Sequence, residues 1–438
     1  VEQRGNAVDA SQSAVVPWHT THPWKRLFFT IFAGQAASLL GSRLVQFALV
    51  WWLTRKTGSA VVLSAATLAA LLPQIVLGPM IGALIDRWPR RRVMILADSG
   101  IALATVGLAV LFALGWARVW HIYVIMFIRS LGGAFHWPAM QASTSLMVPK
   151  EHLARVSGLN QTLQGVVGVV GPPLGALAME ALPMQGVLAI DVGTAALAVL
   201  PLLLIAIPEV QRAASPNKRG SVWADFREGL RYVRGWPGLV VLIGLAMVLN
   251  FLFNPTGTLM PLLITQHFGK GALELGWMDS VWGGGMLIGA LTLSVWGGFK
   301  RNIVTSMSAL VGLGVGTLVV GISPSNAFGL ALAGMGLTGV MLPLVNGPLM
   351  AVVQKAVAVE MQGRVFTLLN SLTMLATPIS LAIAGPAADV LGVRVWYWLA
   401  GGVAMAMGVA GFFIPALMNI EENNAAAPAA MAASSEAA

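Results

Sequence analysis

The chain has 438 residues, of which 57% are apolar and only 10% charged, with 49 glycines, no cysteine and a net charge of +9. A soluble domain carries about 25% charge and a disordered chain lacks this apolar mass, so a soluble enzyme and an unfolded chain are both excluded. The surplus is expected to face lipid, and without cysteine there are no disulfides, thiolate metal sites or thiol nucleophiles.

Residues 1–23 are polar and mixed, with no basic start followed by an apolar core. No cleavable signal is expected there, so the first apolar segment is expected to insert the chain. A helix needs about 20 apolar residues to cross the hydrocarbon core. Six such spans fall at 27–53, 60–85, 93–115, 120–147, 155–180 and 186–207, and six more at 237–264, 274–299, 303–323, 326–353, 364–390 and 394–419. The expected organisation is an N-terminal segment (1–23), a six-helix half (24–208), a linker (209–235), a second half (236–419) and a disordered Ala/Ser-rich tail (420–438).

With both termini in the cytoplasm, five of the 26 Lys and Arg fall in external loops (Arg55, Lys56, Arg118, Lys270, Arg394), two lie within spans, and the rest are cytoplasmic. That asymmetry fixes the expected orientation. A net positive charge would suggest nucleic acid in a soluble protein; here its distribution matters instead, and no nucleic-acid partner is expected. The halves also match at one offset: Glu151, Arg155 and Val156 fall on Glu360, Arg364 and Val365, and Arg91 and Arg92 on Lys300 and Arg301. Six being even, a duplicated six-span unit gives parallel repeats, the arrangement in which substrate binds near the midplane. In the linker, Trp223, Phe226, Leu230 and Val233 share one helical face and Arg227, Arg231 and Arg234 the other, as suits a helix lying on the membrane surface.

Three segments carry a family resemblance. After span 2 come Gly82, Asp86-Arg87 and Arg90-Arg91-Arg92, with Pro89 between them. This resembles the loop 2–3 signature of the major facilitator superfamily, although glycine is usual where Pro89 stands. A carboxylate beside a helix end satisfies backbone N–H groups and pairs with a guanidinium, so Asp86 with Arg87, Arg90 and Arg91 is expected to latch one conformation; the plainer reading of the arginines is topology alone. Span 5 carries Gly171-Pro172-Pro173 and Gly175, similar to the antiporter signature of the drug:proton exchangers in that superfamily, with Ala176 where a second glycine often follows. Without the resemblance, it is a stripe that lets helices approach. Arg129 and Gly133 in span 4 complete the likeness. Trp51–Gly58, the surroundings of Asp98, Asp225–Arg234 and Asn346–Phe366 resemble the bacterial macrolide-efflux-type members.

Ionisable groups inside a span are expensive and face a cavity or a partner. Arg43 lies near the middle of span 1, and Arg129 about 14 Å into span 4. The leading proton-coupling candidates are Asp191 and Asp279, near the outer ends of spans 6 and 8; the alternative for each is a structural ion pair or an interfacial carboxylate. Asp98 favours structural pairing, and His136, near the helical face of Arg129, is a further titrating candidate. Gln35, Ser38, Ser42 and Gln46 form a polar stripe beside Arg43, and Asn250 and Asn254 a similar pair in span 7. Such faces either hydrogen-bond between helices or line water, and the equivalent places of spans 1 and 7 favour a cavity.

The expected protein is an all-α membrane protein of twelve transmembrane helices in two parallel repeats, the major facilitator fold. The resemblance implies export of amphiphilic small molecules in exchange for protons, by a monomer in the bacterial inner membrane. Another secondary transporter, such as a solute importer or an exporter of lipid-like substrates, is the main alternative, with a non-transporting receptor or scaffold further off. No G-x-x-x-x-G-K-[ST] loop is present for an ATP motor. No metal-ligand cluster or nucleophile–base pair suggests an enzyme, and no cofactor is expected.

Overall fold

The structure, a computed structural model, describes residues 23–85, 88–205, 207, 227, 230–357 and 359–421. Six long helices come first: α1 (Trp24–Thr57), α2 (Ala60–Ile85), α3 (Arg90–Ala113), α4 (Val119–Met147), α5 (Leu153–Ala181) and α6 (Met184–Leu204). Six more follow the linker: α7 (Pro237–Leu262), α8 (Ala272–Trp296), α9 (Asn302–Ile322), α10 (Phe328–Ala356), α11 (Val359–Leu391) and α12 (Arg394–Gly411). Ten helices among the described residues are long and apolar enough to cross a membrane. The other two are α4, diluted by Arg129, two histidines and several hydroxyls, and α12, a short helix that begins on Arg394.

Two boundaries differ from the expectation for local reasons. Span 12 ends at Gly411, and the chain restarts as a short turn, α13 (Pro415–Met418). Pro415 cannot donate to a preceding turn and disfavours helical backbone at Ile414, whose ψ is 103°. Span 7 runs past α7 into a π-helical turn, Leu263–His267. Of the expected amphipathic linker helix, Trp223 and Phe226 lie outside the described residues, as do 1–22 and 422–438. Val233 is buried in the core of the second half while Arg231 and Arg234 are exposed.

The two halves pair their helices alike. In the first, α1 packs on α5 and α6, α2 on α4, and α3 on α4 and α6; in the second, α7 packs on α11 and α12, α8 on α10, and α9 on α10 and α12. Adding six to each label in the first set gives the second, which defines two parallel repeats. The halves meet through α5 against α8 and α2 against α11. Those two seams exchange under the same operation, as a two-fold relation between repeats requires.

Burial distinguishes the two ends of the bundle. At the end carrying the α1–α2 and α7–α8 connections, one core spans both halves, joining Leu49, Leu53 and Leu63 to Leu259, Leu263 and Tyr397. At the other end each half has its own core: Phe28, Met94 and Leu202 in the first, Leu239, Ile303 and Val365 in the second. Among the described residues the buried cores of the halves therefore join at one end and stay separate at the other.

Prolines within α5 and α7 free carbonyls for bonds between helices, across the join in α5 and within the second half in α7. Pro173 leaves the carbonyl of Val169 without its helical donor, and Ser280 of α8 donates to it at 2.7 Å. Pro255 frees the carbonyl of Phe251, which accepts from Ser380 of α11. Neighbouring hydroxyls satisfying freed carbonyls is how membrane helices tolerate proline.

Candidate functional site

Three neighbouring cavities are linked by shared lining residues, one in each half and one across the seam. The first half encloses about 530 Å³, lined by all five span 1 candidates (Gln35, Ser38, Ser42, Arg43, Gln46) together with Asp98, Arg129 and His136. The second half encloses about 470 Å³, lined by Asn250, Asn254 and Asp279 with an apolar wall that includes Met260, Trp282 and Met335. A third cavity of about 200 Å³ lies across the seam and shares Arg43 and Gln46 with the first, and Gly257, Met260 and Asp279 with the second. Arg43 and Asp279 thus stand on opposite halves of one space.

In the first half, Arg129 of α4 forms a 2.5 Å ion pair with Asp191 of α6, and both side chains are almost fully buried. Arg129 also donates to Thr105 at 3.0 Å, while Ser42 and Thr105 donate to the carboxylate at 3.2 and 3.3 Å. Helices α1, α3, α4 and α6 meet in this network. Glycine allows the approach: a Cβ on Gly41 of α1 would lie 2.1 Å from the Thr194 hydroxyl and 3.3 Å from the Cα of Asp191. The carboxylate has its charge neutralised and its lone pairs engaged, and removing either partner from such a pair costs about 3–5 kcal/mol. At the repeat offset, Arg129 falls on Thr338 and Asp191 on Ala400, so the pair belongs to one half alone.

Asp98, buried on α3, accepts from Gln35 of α1 at 3.2 Å and lies 3.4 Å from Nε2 of His136 on α4. His136 and Asp98 therefore form a second polar group on the cavity wall. Asp279, seven residues into α8, makes no ion pair or hydrogen bond among the described residues. Arg43 is exposed to the cavity and likewise makes none.

The span 5 motif sits behind Arg43. A Cβ on Gly171 would lie 3.2 Å from the Arg43 Cβ, and one on Gly175 would lie 3.0 Å from the Phe47 ring. These glycines seat α1 against α5. On the opposite face, a Cβ on Gly276 of α8 would lie 3.0 Å from the Cα of Pro173 and 3.2 Å from the carbonyl of Pro172. One motif thus packs its own half and the seam.

Asp86 and Arg87 lie outside the described residues, and Gly82 falls in the last turn of α2. Arg90 donates to the carbonyl of Ala142 at 2.8 Å, and Arg91 to those of Leu202 and Leu203 at 2.5 and 2.6 Å. Both arginines bind carbonyls near helix C-termini within the first half, where a cation is favoured.

Sequence reasoning missed Asp389. This carboxylate near the end of α11 accepts from the backbone N–H of Ala60 at 2.6 Å and of Val61 at 3.3 Å, and from the Ser59 hydroxyl at 2.8 Å. It caps α2 across the seam, at the joined end. Gln266 adds a bond to the Gly58 carbonyl at 2.8 Å. Nothing local marks Asp389 in the sequence, because its partners are over 300 residues away.

A model of the Major Facilitator Superfamily matches residues 31–256. The chain is 34% identical over 389 residues to macrolide efflux protein A of Streptococcus pyogenes, covering 88% of this chain and 95% of that protein. It is 26% identical over 407 residues to the multidrug efflux pump Tap of Mycolicibacterium fortuitum, covering 90% and 97%. Among solved structures, a bacterial homologue of the iron transporter ferroportin in an inward-facing state superposes with a TM-score of 0.68 at 16% identity, covering 88% of this chain and 98% of that one. The nucleoside transporter NupG does so at 0.67 and 12% identity, covering 89% and 98%. At these identities the structures speak for the fold.

Proposed function

The chain belongs to the major facilitator superfamily, as a multi-pass membrane transporter and not an enzyme, and on that premise we propose that it exports amphiphilic drugs, macrolide-like compounds among them, in exchange for protons. The observation that carries this reading is the set of neighbouring cavities, sharing lining residues across the seam, between two halves whose described cores join at one end. A transporter works by alternating access when its halves rock about a site at their interface. The distribution of basic residues supports placing the joined end outside and both termini in the bacterial cytoplasm, and on that placement the conformation is read as inward-open. Each half supplies one wall of the path, so a monomer suffices. The efflux proteins to which the chain is similar support a drug as cargo.

Exchange requires a group whose occupation by a proton and by substrate are reciprocally linked. Asp279 fits best, because it faces the path and holds no partner among the described residues. Asp191 is the second candidate, and it becomes available only when the pair with Arg129 opens. Asp98 with His136 offers a polar step along the first-half wall. The latch role of Asp86 and the arginines around it stands beside these as a conformational element.

Purified protein in liposomes with an imposed pH gradient tests the proposal. Amphiphilic drugs should accumulate in the more acidic compartment for either sign of the gradient. Equilibration without uphill accumulation would refute exchange.

A further inference from the structure

Resting on the export reading, we propose that the cavity of the second half is a binding site for organic cations, with the Asp279 carboxylate as anchor and Arg43 as its built-in rival. The cavity's hydrogen-bonding inventory is one-sided. Thr256, Thr317, Thr338 and Tyr397 line it, and each donates its hydroxyl proton to a backbone carbonyl, of Phe253, Leu313, Gly334 and Thr256 respectively. Asn250 donates to the carbonyl of Ala246, and Asn254 to that of Asn250 and to Thr377. Their oxygen lone pairs remain. Among the described lining side chains, the Trp282 indole, the Asn346 amide and one N–H of the Asn250 amide remain unspent. A site rich in acceptors and poor in donors selects a cation or a donor and rejects an anion.

Charge points the same way. Among the described residues no Lys, Arg or His lines this cavity, and Asp279 is its one acid. The other acids placed inside the bundle are engaged: Asp191 by Arg129, and Asp98 by Gln35 and His136. An ionisable group kept in a membrane span without a partner is costly and marks a ligand pathway. Met260, Met307, Met335 and Trp282 supply a soft, polarisable wall, where the indole face attracts cations and the thioethers adapt to varied shapes. The volume suits a drug-sized ligand.

The rival cation comes from the other half. Among the described residues, Arg43 is the only basic side chain lining a cavity with Asp279, and it makes no ion pair. With substrate absent, its field partly neutralises the carboxylate; with substrate present, the two cations compete. The charged or titratable groups that share a cavity with Asp279 are Arg43 and Tyr397. A proton on Asp279 abolishes the anchor, so acid and cation exclude each other.

The test is equilibrium binding of tetraphenylphosphonium to the purified full chain in lipid nanodiscs, with uncharged triphenylphosphine oxide as control. Affinity for the cation should fall as the buffer is taken from alkaline to acid. Asp279→Asn should weaken it about tenfold or more and remove the pH dependence, while Asp279→Glu retains both. Arg43→Gln should tighten it several-fold, and the control should bind all four forms alike. Equal cation affinity in the wild type and Asp279→Asn would overturn the proposal, as would Asp279→Glu binding as weakly as Asp279→Asn at equal thermal stability. The export reading fails separately: cation binding through Asp279 without proton-driven export refutes exchange and leaves the site standing. Uphill export lost in Asp279→Asn with its cation affinity unchanged refutes the site and leaves exchange standing.

Discussion

Removing the Asp389 carboxylate should loosen the joined end of the bundle. In Asp389→Ala, α2 loses the acceptor for the N–H groups of Ala60 and Val61 and for the Ser59 hydroxyl, all of them reached from α11 of the other half. A capping side chain contributes about 0.5–2 kcal/mol, and a carboxylate on the positive end of a helix about 0.3–1 kcal/mol more. Asp389 is exposed, so screening trims the sum to about 1–2 kcal/mol. Those contacts cannot survive separation of the halves at that end, so nearly all of this energy biases the conformational equilibrium. The population open at that end should rise about five- to thirty-fold. Asp389→Asn, which keeps acceptor oxygen and loses charge, should fall between. The cysteine-free chain permits spin labels at Trp116 and Asn326, exposed positions on opposite halves beyond the α3 and α9 termini at the same end. Their distance distribution should gain a longer component in Asp389→Ala. An unchanged distribution in folded protein would refute the assignment of the cap as an inter-half clasp.

Arg129→Ala should destabilise the detergent-solubilised protein by about 3–5 kcal/mol by leaving Asp191 buried and unpaired, whereas the joint change Arg129→Met with Asp191→Leu should cost far less; thermal unfolding distinguishes the two, and equal losses would contradict a buried structural pair. Gly276→Ala should disfavour joining of α5 to α8, because the added Cβ meets the backbone of Pro172 and Pro173; the same label pair should report it, and a wild-type distribution would show that the seam can yield. Asp86→Asn should slow transport with insertion and folding intact, and an unchanged rate and unchanged populations would reduce Asp86 to a topology residue.

The fold was legible because most spans are long apolar runs and the two halves repeat with one offset. The polar stripe of α1 was legible for the same reason: steps of three and four place Gln35, Ser38, Ser42 and Gln46 on one face, and that face lines a cavity. Partners were not legible. Arg129 and Asp191 were each conspicuous as charges within spans, yet their pairing depends on α4 meeting α6 through the space left by Gly41. Asp279 looked equivalent to Asp191 by depth, and only the tertiary arrangement sets the partnered acid apart from the unpartnered one. Asp389 gave no signal because a cap supplied from another helix has no local pattern. The span 5 motif fits a packing stripe or an antiporter signature in the sequence, and the structure sets its glycines against α1 and its prolines against α8.

The central claim is that one path couples drug and proton movement through Asp279. Liposomes carrying the purified protein and an internal pH indicator, with no gradient imposed, test it when an amphiphilic amine drug is added outside. The account predicts a drug-evoked proton flux opposite to drug movement in the wild type, lost in Asp279→Asn and kept in Asp279→Glu. A flux of wild-type size in Asp279→Asn, or drug movement in the wild type with no accompanying protons, would contradict it.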